Sequence, residues 1–142
     1  MPAPRRAGRT VLKLATPDGA FANHPAVASG TTTVTAAAVA MFVAAGVKVP
    51  VGTRDWLLAR QSPSGGFLAG PQAPVPDLLS TATALLALNW LGIRLPADAA
   101  TRCATFVESL WDESGGFCGS PPDPVPDLEY TYYALLSLGC LR

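Results

Sequence analysis

Three carboxylates fall within seven residues of one stretch, DPVPDLE: Asp123, Asp127 and Glu129. Carboxylates crowded in this way raise one another's pKa, so that one can stay protonated and serve as a general acid. Tyr130, Tyr132 and Tyr133 follow directly, and Trp90 stands near the end of an earlier uncharged stretch. Aromatic faces around a cavity stabilise cations, including carbocations. These residue types make Asp127, Glu129 and Asp123 candidate catalytic residues. Asp77, Trp90, Tyr130, Tyr132 and Tyr133 become candidate substrate-binding residues. A helix start accounts for the acidic residues in another way: Asp77 and Asp127 stand where an N-cap belongs, and Glu129 in the first turn favours the helix dipole. Aromatic residues on a buried helix are ordinarily core. Tyr132 and Tyr133 take neighbouring directions around a helix, so they do not both face one cavity.

Other chemistries lack their residues. His24 is the single histidine, so no Ser-His-Asp or Cys-His arrangement can be assembled. Asp127, Glu129 and His24 could in principle offer zinc ligands, but no motif supports zinc or magnesium, and no metal or other cofactor is expected. Gly65-Gly66 and Gly115-Gly116 read as turns, because no phosphate-cradling glycine motif opens a helix after a strand. Cys103, Cys118 and Cys140 are an odd set without CxxC spacing, which fits free thiols in a reducing cytoplasm. Ten basic and ten acidic residues balance. Arg5, Arg6, Arg9 and Lys13 make one cationic face without interleaved aromatics, a solvated face rather than a nucleic-acid site. The paired arginines are followed by no apolar core, and no apolar run approaches the ~20 residues of a membrane span.

The elements that must position these residues repeat. SGGF occurs at Ser64–Phe67 and Ser114–Phe117, with a weaker DGAF at Asp18–Phe21. With Phe21, Phe67 and Phe117 in register, Thr35, Thr81 and Thr131 align, as do Ala38, Ala84 and Ala134. Asp77 and Asp127 align with Thr31, Gly46 with Gly92, and Pro50 with Pro96. Such a period signals stacked supersecondary units. Each unit reads as a Gly-Gly corner, a Pro-rich extended stretch, a capped uncharged helix, then a second, charged helix. Helices are predicted over 5–15, 31–46, 53–61, 77–91, 97–111 and 127–141, in one domain spanning 1–142 with repeats at about 17–63, 64–113 and 114–142. The uncharged helices are expected to be buried all round and the charged ones to keep one wet face. That alternation predicts an all-α fold with an inner and an outer layer. The aligned threonines are expected to bond back to the backbone in the first helical turn.

The tract WLLARQSPSGGF with DLLSTATALLAL, and FVESLWDESGGF with DLEYTYYALLSLG, resembles the repeat of protein prenyltransferase β-subunits and of squalene and class II terpene cyclases. The resemblance implies an α/α toroid whose central cavity accepts an isoprenoid or another hydrophobic small molecule. A full barrel of that family has about twice the hairpins of these three, so the resemblance implies a partial toroid: a subunit completed by a homodimer or a hetero-partner, a piece, or a closed miniature. The family's zinc-binding Asp-x-Cys reads Asp127-Leu128-Glu129 here, without the cysteine, and the acidic DxDD cluster of the cyclases is absent. Two functions follow as expectations: an isoprenoid enzyme component of the prenyltransferase or terpene cyclase type, or a non-catalytic module binding a hydrophobic ligand or a protein.

Overall fold

A computed structural model describes residues 3–142; residues 1 and 2 of the expected 1–142 domain lie outside the described residues. Six helices are present among them: α1 (Ala3–Leu12), α2 (Thr32–Ala44), α3 (Val51–Leu58), α4 (Leu78–Trp90), α5 (Ala97–Glu108) and α6 (Leu128–Cys140). Each coincides with a predicted helix, with ends shifted. The first stops before residue 15 because Lys13 and Leu14 already bond to carbonyls three residues back, and Ala15 then leaves the helix to pair with Phe21. α2, α4 and α6 pack side by side as an inner row, and α3 and α5 lie behind them. This is the two-layer, all-α arrangement of an α/α toroid.

The corners contain short ladders that the sequence reading did not foresee. β1 (Phe67–Leu68) pairs antiparallel with β2 (Pro76–Asp77), and β3 (Trp111–Asp112) with β4 (Gly116–Phe117). Isolated bridges complete the pattern: Gln61 with Phe67, Ala15 with Phe21, and Phe117 with Asp127. Every corner phenylalanine is therefore held between the end of the preceding outer helix and the residue that starts the next inner helix. Gly65 and Gly115 turn these corners at φ +104° and +105°, where a side chain is strained. Phe21 and Phe67 are buried almost completely, and Phe21 meets Phe42 with ring centroids 5.5 Å apart.

Asp77 and Asp127 cap their helices. Asp77 accepts from the Ser80 N–H at 2.7 Å and from the Ser80 hydroxyl at 2.8 Å, while Asp127 accepts from the Tyr130 N–H at 2.7 Å. Gly92 follows the end of α4 at φ +71°, and Gly46 stands likewise after α2 at φ +62°, as a helix stop requires. Two of the three aligned threonines bond back, Thr81 to the Asp77 carbonyl at 2.7 Å and Thr131 to that of Asp127 at 2.6 Å. They also accept a bond from the corner phenylalanine amide.

Neighbouring repeats are stitched by backbone bonds. The Thr32 N–H donates to the Ala69 carbonyl at 2.9 Å, and the Leu78 N–H to the Gly119 carbonyl at 2.8 Å. Both acceptors lie two residues past a corner phenylalanine of the next repeat. Small residues on the inner helices, such as Ala36, Ala82, Ala84 and Ala87, allow close approach and are buried.

One expectation is corrected. The uncharged helices are not buried all round, because each has a face turned away from the outer helices, and α6 has a second open face along its flank. Leu128, Tyr132 and Leu135 of α6 are 87%, 59% and 62% exposed, whereas Leu78, Ala82 and Leu85, their equivalents on α4, are buried beneath α6. A second departure is at Arg60, which occupies the outer-helix position of Leu14 and Leu110. Its guanidinium lies 4.7 Å from the Trp56 ring centroid, with Nε and Nη1 buried and without a hydrogen-bond partner among the described residues.

Candidate ligand-binding face

The repeat register defines the face of the inner row that turns away from the outer helices. On α4 it carries Leu79, Thr83, Leu86 and Trp90, which recur at the spacing of one helical stripe. The equivalent stripe on α2 is Thr33, Ala37, Ala40 and Ala44, and on α6 it is Glu129, Tyr133, Leu136 and Cys140. None of these twelve residues is fully buried. Between α2 and α4 the face forms a groove of about 150 Å³, floored by Ala37, Ala40 and Thr83 and walled by Leu86 and Trp90. Alanine on α2 opposite Leu86 and Trp90 makes the depression. Thr83 turns its hydroxyl hydrogen back to the Leu79 carbonyl at 2.8 Å, leaving an apolar floor.

Glu129 is the one carboxylate of this face. It stands one turn before Tyr133, whose hydroxyl is pushed above the ordinary tyrosine pKa first by burial and then by the Glu129 charge. Tyr132 points along the open flank of α6 instead, and its ring meets that of Tyr133 at 5.4 Å and 62°. The two tyrosines thus divide between two faces, as their neighbouring directions require.

Tyr130 points a third way, onto Gly119, where any added Cβ would collide with its ring. Its hydroxyl pKa is raised by burial and then by the charges of Asp123, Asp127, Glu129 and Asp77. The four candidate carboxylates therefore converge electrostatically on one phenol, although their oxygens are used differently. Asp123 accepts from the Val125 N–H at 3.2 Å in its own loop. Asp77 has both oxygens engaged by Ser80, whereas the same position after Asp127 is Tyr130, which offers only its amide.

Leu86, Leu136, Thr83 and the α2 alanines escaped the sequence reading of the site. Their signal was present in the register: they fall at fixed offsets after Phe21, Phe67 and Phe117, but apolar residues carry no chemistry to draw notice. His24 lies exposed in the first corner, and among the described residues no group of three His, Cys, Asp or Glu side chains could hold a metal ion. Cys103 is buried in the core and its thiol is pushed up to about 12 by desolvation, which leaves it inert. No described helix is long and apolar enough to cross a membrane.

The family model of the prenyltransferase alpha-alpha toroid domain matches residues 4–73 and 82–142. No curated protein matches the chain significantly.

Proposed function

The chain belongs to the prenyltransferase alpha-alpha toroid family, and from that premise we propose that its inner-row face is one wall of a cavity that binds an isoprenoid or a similar hydrophobic chain. The observation that carries this reading is the apolar stripe of α2 and α4, with its groove between Ala37, Ala40, Leu86 and Trp90. An extended hydrocarbon gains from each methylene it buries, about 0.8 kcal/mol apiece. A face open on one side buries only part of such a ligand, so the reading calls for a partner subunit that supplies the facing wall. No metal or other cofactor takes part in this proposal, and a reducing cytoplasm is the compartment that suits its free thiols.

We further propose an enzyme of the prenyltransferase or cyclase type, with the third repeat as its reactive end. Glu129 meets the apolar stripe where α6 begins. A carboxylate there accepts a proton from the carbon next to an isoprenoid cation, so that the C–H bond breaks and an alkene forms. Tyr133 offers its ring to the cation. Asp127 and Asp123 add negative charge near Tyr130, and Tyr132 and Asp77 border the site. The alternative of a non-catalytic hydrophobic-ligand or protein-binding module draws on the caps, since Asp77 and Asp127 both have structural employment.

The test is a titration of intrinsic tryptophan fluorescence with geranylgeranyl diphosphate. A saturable change, lost in Trp90→Phe and weakened at least about tenfold in Leu86→Asp, supports the binding face. Absence of any saturable change removes it. If binding persists while Glu129→Gln turns over the substrate as the parent does, the catalytic role fails and the module reading stands.

A further inference from the structure

We propose that the two open edges of this molecule bind each other between copies, head to tail: α1 and the exposed edge of α2 in one copy dock on the third corner and the flank of α6 in the next. This contact does not depend on the ligand proposed above.

The repeat shows what each edge lacks. The outer helices α3 and α5 press on the corner that opens their own repeat. Thr53 of α3 donates its hydroxyl to the Gly19 carbonyl at 3.1 Å, and α5 lies so close to Gly65 and Gly66 that a Cβ on either would collide with the Arg102 backbone or the Phe106 ring. At the third corner, by contrast, a Cβ on Gly115 would meet nothing within 4 Å, and an open pocket of about 310 Å³ lies beside Gly115, Gly116, Asp127 and Leu128. The residues of α1 equivalent to buried Thr53 and Trp56 are Ala7 and Thr10, and both are exposed. One edge is a corner without its outer helix, and the other is an outer helix without its corner.

The inner row matches in the same way. Leu128, Tyr132 and Leu135 project from α6 where Leu78, Ala82 and Leu85 of α4 are covered. At the opposite edge, Val11, Leu14, Val34 and Met41 line a groove of about 180 Å³ that also reaches Asn23. The backbone stitches specify the register. The Leu128 N–H, third in the series after Thr32 and Leu78, makes no protein hydrogen bond among the described residues. Its acceptor by register is the carbonyl two residues past a first-corner phenylalanine, that of Asn23 in a second copy.

Charge decides in favour of a second copy. α1 and the turn after it present Arg6, Arg9 and Lys13, with no acidic residue before Asp18. The third corner presents Asp112, Glu113, Asp123 and Asp127, and no lysine or arginine stands between Arg102 and Arg142. The edges that the repeat would juxtapose therefore carry opposite charge, which favours this pairing and makes it salt-dependent. A heterologous contact of this kind closes into a ring or grows.

The experiment is light scattering on the full chain after size exclusion, at low salt and at high salt, without ligand. The expected result is a discrete assembly of two or more copies of the 14.7 kDa chain, weakened by salt. Leu135→Asp, on an exposed side chain, is expected to weaken association at least about tenfold. Arg6→Glu and Glu113→Arg each weaken it as well, and an equimolar mixture of those two variants restores it, because every junction in a mixed ring is then complementary. A monomer at every chain concentration in low salt overturns the proposal. So does an assembly whose mass ignores all three substitutions, or variants that the mixture fails to rescue. Circular dichroism of each variant confirms the helices, and the charge pair carries the test should Leu135→Asp misfold.

Discussion

The backbone N–H of Phe67 donates to the hydroxyl oxygen of Thr81 at 2.9 Å, a bond that crosses from a corner to the first turn of the helix fourteen residues on. The same bond joins Phe21 to Thr35 and Phe117 to Thr131, at 3.1 Å in both. Thr81 also donates to the Asp77 carbonyl, so one hydroxyl fixes the corner, the cap and the helix together.

Thr81→Val keeps the shape and removes both bonds, leaving the buried Phe67 amide without an acceptor. The expected loss is about 1–3 kcal/mol in urea unfolding. Thr131→Val is expected to cost less, because Thr131 is only half-buried and water reaches the freed groups. Equal losses would mean that water does not reach the groups freed at Thr131.

Asp18 ties the first corner to α3. Its carboxylate accepts from Thr16 at 2.5 Å, Ser29 at 2.8 Å and the Trp56 indole at 2.9 Å. Burial alone would raise its pKa; these bonds and the Ala20 amide outweigh it and lower the value to about 2. A pKa depressed in the fold gives stability that is complete above the unfolded value of about 3.9 and is lost as pH falls towards 2. Asp18 is exposed, so the contribution is about 1 kcal/mol or less. Unfolding midpoints taken from pH 5 down to pH 2 should show a shallower decline in Asp18→Asn than in the parent; parallel declines would remove Asp18 from the acid response.

Gly65 and Gly115 share a strained φ but not their surroundings. Gly115→Ala is expected to cost the conformational strain alone, about 1–3 kcal/mol. Gly65→Ala adds a collision with the Arg102 backbone and should cost more, with loss of the native fold as the upper limit. Thermal unfolding of the two variants checks the ordering, and similar midpoints would show that α5 can withdraw from the corner freely.

The helices and their order were legible because each boundary is written in local chemistry: Asp77 and Asp127 as caps, Gly46 and Gly92 as stops, Pro50 and Pro96 at the outer-helix starts. The layering was legible because charge, Glu129 of α6 apart, is confined to the outer helices. The acceptor role of Thr81 was not, since it depends on where the corner folds back, and neither was the Asp18 cluster, whose partners Ser29 and Trp56 are distant in sequence. The exposure of Leu135 was hidden for a related reason. Its helix reads like α4, and only the absence of a neighbour on that flank distinguishes them. The candidate face was legible where it carries charge, at Glu129, and illegible where it is made of alanine and leucine.

The stitches from Thr32 to Ala69 and from Leu78 to Gly119 place the completion of each repeat in the one that follows. Stability in such an array resides in junctions as much as in units, as in a one-dimensional chain of coupled spins. The unit at an open edge lacks one coupling, so its amide protons exchange with solvent sooner than those at the centre. During synthesis each inner helix also waits for the next corner to emerge before its first turn is sealed. Order therefore advances along this polypeptide one repeat behind the ribosome.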